Sequence, residues 1–272
     1  RRIQIRAGSV VVPLHDPIRV AEEWSVIDNL SGGRVALSFA SGWHANDFVF
    51  SPENYAKRHE VTFKNIEIIR SLWRGEAVTR RGGGGGDLEV VISPRPIQAE
   101  LPIWITAAGS PITFQKAGEM GANLLTHLLG QSLEELKEKI DLYRDAWRRN
   151  NHGPGSGHVT LMLHTFVGTD EDWIREKVRR PFTNYLRSSF GLLQASAKSL
   201  GRDLNSADLT EADMQSVLDH SFARYYETSS LMGSSARCLE MIGQLKAIGV
   251  DEAACLIDFG VDAAVLDPVA EG

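Results

Sequence analysis

Ser110, Pro111 and Thr113 place two hydroxyls one helical turn apart, directly after the nearly bare run Ala107, Ala108 and Gly109. Ile103–Ala107 ahead of them is apolar with a β-branched bias, the pattern of a buried strand. Ser110 stands where a helix N-cap belongs, Pro111 where the first helical residue belongs, and Gly121 in the usual C′ role. Such a turn presents amide N–H groups that the helix cannot satisfy itself, at the positive end of its dipole. The chemistry it suits is capture of a phosphate. The plainer reading, a serine and a proline that only start a helix, stays open on this stretch alone. His15, His44, His127 and His164 are the imidazoles singled out as candidates for proton chemistry or ligand binding. His44 and His127 have no carboxylates at ligand spacing, which argues against a metal site. The run Gly82–Gly86 has neither hydroxyls nor a following helix, so it reads as a linker tip and not as a phosphate loop.

Positioning these groups takes a scaffold. At 272 residues and 43% hydrophobic, the chain can bury the core of one large α/β domain or two small ones. Its formal net charge of −6, and the absence of any long basic cluster, argue against nucleic acid as a partner. No apolar run is long enough to span a bilayer. Cys238 and Cys255 lack metal spacing and read as buried thiols in a reducing compartment, so a cytoplasmic location is expected. The chain opens on Arg1-Arg2-Ile3 and runs straight into a strand, which reads as a cut inside a larger polypeptide.

Taken in order, Ile3–Val12 is a β-branched strand ending at Pro13, and Asp16-Pro17 opens a helix with Val20, Trp24, Ile27 and Leu30 on its buried face. Val35–Ala40 is the next strand. Ser51-Pro52 is expected to open a long helix carrying Phe63, Ile66, Ile69, Leu72 and Trp73. Residues 76–101 are an excursion in which Leu88–Ile92 has the pattern of a short edge strand. Asn123–Leu129 reads as a strand, and Ser132–Glu135 as a capping box for the helix behind it. Val159–Val167 reads as a strand with His164 inside it, as a satisfied core histidine. Pro181 is expected to kink or break the helix that begins at Thr169–Asp172. Phe182–Met232 reads as an excursion of amphipathic helices, one of them starting at Thr210-Glu211. Ser234 and Ser235 cap a helix with Leu239, Ile242, Leu245 and Ile248, and Glu252–Asp258 is the last strand. Six alternations of strand and helix with few hairpin signals predict a parallel sheet, as a (β/α)8 barrel or a doubly wound sheet. The absence of GxGxxG after a strand and of GxxxxGK[ST] removes two common doubly wound families. In a barrel the loops after the strands carry function. Here those loops hold Ser9, Ser41–Asp47, Ser110–Thr113, Thr126–Gln131 and His164.

Pro17-Ile18-Arg19, Glu22-Glu23 and Asp28-Asn29-Leu30-Ser31-Gly32-Gly33-Arg34 form one long motif. It resembles the third helix and fourth strand of bacterial luciferase-like flavin monooxygenases. The resemblance continues through Arg58, Leu72-Trp73, Ala107–Pro111 and Gly249–Glu252, and thins over 182–232. The wording ENYAKR, SGWHANDF and LTHLLGQS is most similar to the subgroup working in polyketide and nonribosomal-peptide assembly lines. The resemblance implies a TIM-type (β/α)8 barrel, N-terminally truncated to about six βα units, forming a single domain over 1–272. The helical excursion at 182–232 would be an insertion or lid before the last βα unit.

The resemblance also implies FMN, supplied reduced, with O2 as co-substrate. The phosphate would be held at Ala108, Gly109, Ser110 and Thr113, although Gly109 stands where luciferase has a glutamate. A non-proline cis peptide beneath the flavin ring would fall at Gly8–Ser9. Ser41 stands where luciferase has an arginine, and Trp43 and His44 fall where the family lines the flavin pocket. Thr126 and His127 fall beside the flavin edge. On this reading His44 and His127 are the candidate catalytic residues, each weighed against an ordinary polar role. The implied partners are a flavin reductase, an acyl or peptidyl carrier protein and a second copy of the chain. The expected activity is hydroxylation of, or oxygen insertion into, a carrier-tethered natural-product intermediate. A non-catalytic flavin-binding module of a megasynthase and a deazaflavin-dependent oxidoreductase on the same fold are the alternatives.

Overall fold

Asp16 accepts a hydrogen bond from the Ile18 N–H at 2.8 Å, and Pro17 pre-sets the first helical residue. The helix that follows, α1 (Pro17–Ser31), stops where Gly32 turns left-handed at φ 72°. The computed structural model describes residues 2–153, 155–188 and 210–262. β1 (Ile5–Val11) precedes α1; β2 (Val35–Ala40) and α2 (Arg58–Arg74) follow it. Next come β3 (Val78–Arg81), β4 (Asp87–Val90), β5 (Ile103–Thr106), α3 (Pro111–Glu119), β6 (Asn123–His127) and α4 (Leu133–Arg149). β7 (Val159–Gly168), α5 (Glu171–Ser188), α6 (Glu211–Thr228), β8 (Leu231–Ser234), α7 (Ser235–Ala247) and β9 (Glu252–Leu256) complete the order. The chain divides into one unit of Arg1–Ala107 with Met120–Leu125, and a second of Ala108–Glu119 with Thr126–Gly272.

In the first unit β1 pairs with β2, β2 with β5, and β5 with β6, all parallel. β2 is buried over Val35–Phe39, the near-continuous apolar run of a strand covered on both faces. Ile66, Ile69, Leu72 and Trp73 of α2 are fully buried, as their spacing predicts. The buried stripe of α1 differs from expectation. It runs through Val20, Ala21, Ser25 and Asp28, whereas Ile27 is 37% and Leu30 80% exposed. The cause is Asp28, whose carboxylate accepts the Ile97 N–H at 2.7 Å, the Gln98 N–H at 2.9 Å and the Gln98 Nε2–H at 2.8 Å. Three charge-assisted bonds turn that face inward against its hydropathy. The Asp28–Arg34 motif is therefore a clamp on the segment at 95–98. Arg34 seals its end by donating to the Ser31 carbonyl at 2.7 Å.

Three further departures are seen. α2 begins at Arg58, after two short 3-10 turns, and not at Ser51-Pro52. Asn54 donates to the Pro13 carbonyl at 2.8 Å and Arg58 to the Gly42 carbonyl at 3.1 Å, which pins a bend there. β3 and β4 form an antiparallel hairpin around the glycine tip, where few hairpin signals were expected. Cys238 is half-buried and Cys255 exposed, so neither is the buried thiol predicted. Cys255 is the exposed residue of a five-residue strand that is otherwise half-buried.

In the second unit β7 pairs in parallel with β8 through Thr165–Gly168 and with β9 through Thr160–His164. Strand β8 was not expected; its four residues carry no periodicity, and its place is fixed by pairing with the end of β7. On α7 Met241 and Leu245 are buried, while Leu239 is 70% exposed. α5 runs through Pro181. The missing N–H costs the helix one bond, but Ile174 and Val178 before it and Phe182 and Leu186 after it lie in one core with Phe222, Tyr225 and Met232. The α6 start is the expected one, a capping box of Thr210 and Asp213. Residues 189–209 of the expected helical insertion lie outside the described residues. Among the described residues no helix is long and apolar enough to cross a membrane.

α3 packs on α4 with Gly118 at the contact. A Cβ there would stand 2.2 Å from the Tyr143 carbonyl oxygen and 2.9 Å from the Trp147 amide nitrogen. Both are backbone atoms of a helix and cannot swing aside. Gly118→Ala is expected to destabilise the protein by roughly 1–3 kcal/mol, read from urea unfolding, although alanine is the better helix former. A stabilised Gly118→Ala would show that the two helices separate freely.

Candidate functional site

The ends of the parallel strands carry the polar groups. In the first unit, β1 loses register with β2 between Ala7 and Val10, so Gly8 and Ser9 form an irregularity in the strand. Thr106 at the end of β5 donates to the Gly8 carbonyl at 3.3 Å. Its hydroxyl lies 2.7 Å from that of Ser38 and 3.4 Å from that of Ser9. Thr106 and Ser38 were missed in the sequence because hydroxyls inside strands look like ordinary pleat residues. The Gly8–Ser9 peptide is not cis; among the described residues the cis bond is Ser93–Pro94.

The loop after β2 is mostly open. Ser41 is half-buried, while Trp43 is 58% exposed and His44 is exposed. The His44 ring meets Trp43 edge-on at 5.3 Å, and its Nδ1 lies 3.8 Å from the Asp47 carboxylate. Gly42 at φ 75° makes the sharp turn, and a Cβ there would come within 2.8 Å of Val11.

In the second unit Pro111 is the first residue of α3, as the sequence predicts. Ala108, Gly109 and Ser110 are exposed and Thr113 half-buried. The Ser110 carbonyl accepts the Thr113 N–H at 3.0 Å, and a Cβ at Gly109 would meet nothing within 4 Å. The turn is thus an open start of a nine-residue helix with unhindered backbone. That geometry fits a phosphate.

β6 ends at His127, two residues early, because the Leu129 N–H donates to His127 Nδ1 at 3.1 Å and leaves the ladder. Gln131 straps the same turn. Its amide N–H donates to the His127 carbonyl and, at 3.4 Å, to Thr126 Oγ1, while Lys139 donates to its Oε1 at 2.8 Å. Thr126 is fully buried and His127 half-buried. Burial pushes the His127 pKa down to about 4, with Lys139 adding to the effect. His164 in β7 is 1% exposed and its Nδ1 lies 2.9 Å from Tyr225 Oη. Phe182, Tyr185 and Phe259 stand edge-on to its ring at 4.9, 4.7 and 5.3 Å. Burial holds its pKa near 4 as well, against the opposing pull of Asp258. The strand ends therefore set Thr126 and His127 side by side, with His164 buried in β7.

A profile of the luciferase-like monooxygenases matches residues 1–252. The chain belongs to that family, a class of flavin-dependent monooxygenases, and its fold is the family's TIM-type α/β barrel fold. It is similar to the oxygenase component of the flavin-dependent trigonelline monooxygenase of Acinetobacter baylyi, at 22% identity over 96% of this chain and 71% of the relative. A Mycobacterium tuberculosis relative matches at 26% identity over 52% of this chain and 49% of its own length. Among solved structures, it is similar to the oxygenating constituent of the Pseudomonas putida 3,6-diketocamphane monooxygenase, determined with FMN. The TM-score is 0.70 at 17% identity, over 97% of this chain and 76% of that one. An F420-dependent secondary alcohol dehydrogenase gives the same TM-score at 18% identity, with the same coverages.

Proposed function

We propose that this chain is the oxygenase part of a two-component system that uses reduced FMN and O2 to hydroxylate, or insert oxygen into, an organic substrate. The observation that supports it is the open, small-residue start of α3 within a luciferase-like family chain. Gly109, Ser110 and Thr113 would hold the phosphate through backbone amides and hydroxyls, with Ala108 giving room beside them. Thr126 and His127 would lie along the ring edge. When bound, the flavin supplies the oxygen activation; the chain's task is to anchor the phosphate, orient the ring and exclude water. A separate flavin reductase would deliver the reduced cofactor, in line with the Acinetobacter relative being named an oxygenase component. A carrier-tethered natural-product substrate is the finer reading, supported by the wording of residues 41–48, 53–58 and 125–132.

Ser110→Asp places a carboxylate where the phosphate would sit. It is expected to weaken FMN binding roughly tenfold or more by charge repulsion, in a flavin-fluorescence titration. Unchanged binding would remove the turn from the cofactor site. Oxygen uptake with reduced FMN and a carrier-bound acyl substrate, read with product mass, tests the reaction. Peroxide release without an oxygenated product would count against it. The likeness to an F420-dependent dehydrogenase favours a second reading, a deazaflavin oxidoreductase. Parallel titration with FMN and F420 separates the two.

A further inference from the structure

Arg144 of α4 reaches the turn between α7 and β9. Through Nη2 it donates to the Gly249 carbonyl at 2.6 Å and to the Asp251 carboxylate at 3.2 Å, while its Nε–H is buried without an acceptor. The approach needs a glycine: Gly249 has φ 94°, and a Cβ there would stand 3.0 Å from Arg144 Nη1. Beside the guanidinium runs an open groove of about 550 Å³, within the about 300–1,000 Å³ range of ligand pockets. Ile242 and Leu245 of α7, with Val250 and Ala253, give the groove an apolar wall. Its charged groups are Arg144, Lys246, Asp251 and Glu252.

The two carboxylates are spent on the start of β7. Asp251 accepts the Val159 N–H at 2.8 Å besides Arg144. Glu252 Oε2 accepts the Thr160 hydroxyl at 2.6 Å and lies 3.4 Å from His158 Nε2. The last carbonyls of α7 are capped as well: those of Gln244, Leu245 and Lys246 accept the N–H groups of Ile248, Val250 and Gly249 at 3.2, 3.0 and 3.1 Å. Capping blunts the negative end of the helix. What remains unspent is cationic. Among the described residues the exposed Lys246 side chain forms no ion pair or hydrogen bond, and Arg144 keeps a donor that nothing answers.

We propose that this groove is a binding site for a monocarboxylate bearing a short alkyl chain. The carboxylate lies toward Lys246 and the Arg144 guanidinium, and the chain covers the apolar wall, where Ile242 is 37% exposed. A neutral ligand with the same chain leaves Lys246 unanswered, an alkylammonium meets like charge, and an anion without a chain forgoes the wall. The groove sits at the starts of β7 and β9, whereas Thr126 and His127 stand at the end of β6. It is therefore separate from the strand-end groups and does not rest on the flavin reading.

The test titrates the full chain with hexanoate, acetate, 1-hexanol and hexylammonium by calorimetry and follows Ile242 by 13C-methyl NMR. Hexanoate is expected to bind roughly tenfold tighter than the other three, or better, and to shift the Ile242 methyl signals. Lys246→Met keeps the apolar stem and drops the ammonium. It is expected to weaken hexanoate roughly tenfold and to leave 1-hexanol unchanged. Arg144→Lys keeps a cation for Asp251 but removes the Nε–H, and is expected to weaken hexanoate as well. Urea midpoints establish that both variants fold; if Arg144→Lys does not, Lys246→Met, on an exposed side chain, decides. Hexanoate binding no tighter than that of acetate or hexylammonium, or unchanged by Lys246→Met, overturns the proposal. So does hexanoate binding that leaves the Ile242 signals unmoved.

Discussion

Asp28→Ala is expected to lower the unfolding free energy by about 3–5 kcal/mol, the cost of leaving several buried donors without their charged acceptor. The carboxylate is fully buried and holds Ile97 and Gln98 through three bonds of 2.7–2.9 Å. Its loss spreads, because Gln98 also donates to the Val35 carbonyl at 2.9 Å and accepts the Trp73 Nε1–H at 3.0 Å. One residue thus ties the 95–98 segment to α1, α2 and β2. Asp28→Asn keeps the shape but turns one acceptor into a donor, and is expected to cost less than the alanine. As a control, Arg19→Ala removes an ion pair with Glu23 whose two side chains are 73% and 62% exposed, and is expected to change stability by under about 0.5 kcal/mol. Urea midpoints of the three variants decide it. An Asp28→Ala protein as stable as the Arg19→Ala control would show that the clamp is decoration.

The second large effect is acid lability. His127 and His164 have folded pKa values of about 4 against 6.5 for the free ring, so the unfolded chain binds more protons at any pH between the two. Their contribution is fully present above pH 6.5, drains as the pH falls, and is gone below about 4. The expected loss is about 3 kcal/mol per ring at most, less for the second because each opposes charging of the other. His59, lowered by burial and then by Arg58, acts with the same sign. Glu119 and Glu227, held below the usual carboxylate range by Lys116 and Arg237, add their share at lower pH still. Unfolding in urea at pH 7, 5.5 and 4 reads the slope. The paired replacement His164→Phe with Tyr225→Phe removes the buried imidazole without orphaning the phenol, and is expected to flatten it. A slope unchanged by that pair would mean His164 titrates normally.

Much of this architecture was readable because it is written locally. Asp16-Pro17, Ser132 with Glu135, Thr210 and Ser234 announce helix starts through side chains that bond amides two or three residues on. The β-branched runs announce the parallel strands. The misses share a different cause, partners distant in the chain. Ile27 and Leu30 on α1 look like core residues by spacing, yet Asp28 claims the inner face for amides 69 and 70 positions away. β8 exists only because β7 runs on past β9. Ser38 and Thr106 meet across two strands, 68 residues apart. His164 read as a satisfied core histidine, and it is one, but its satisfaction comes from Tyr225, 61 residues on, which no spacing rule announces.

The β3–β4 hairpin ends in Gly82–Gly86, where the Gly82 N–H bonds the Gly86 carbonyl at 2.8 Å and a Cβ added at Gly83, Gly84 or Gly86 would meet no atom within 4 Å. Whatever is spliced between those glycines hangs on a closed two-strand stem and loads nothing in the core. The tip is consequently a natural port for an epitope, a fluorophore or a surface tether, installed while both ends of the polypeptide stay untouched.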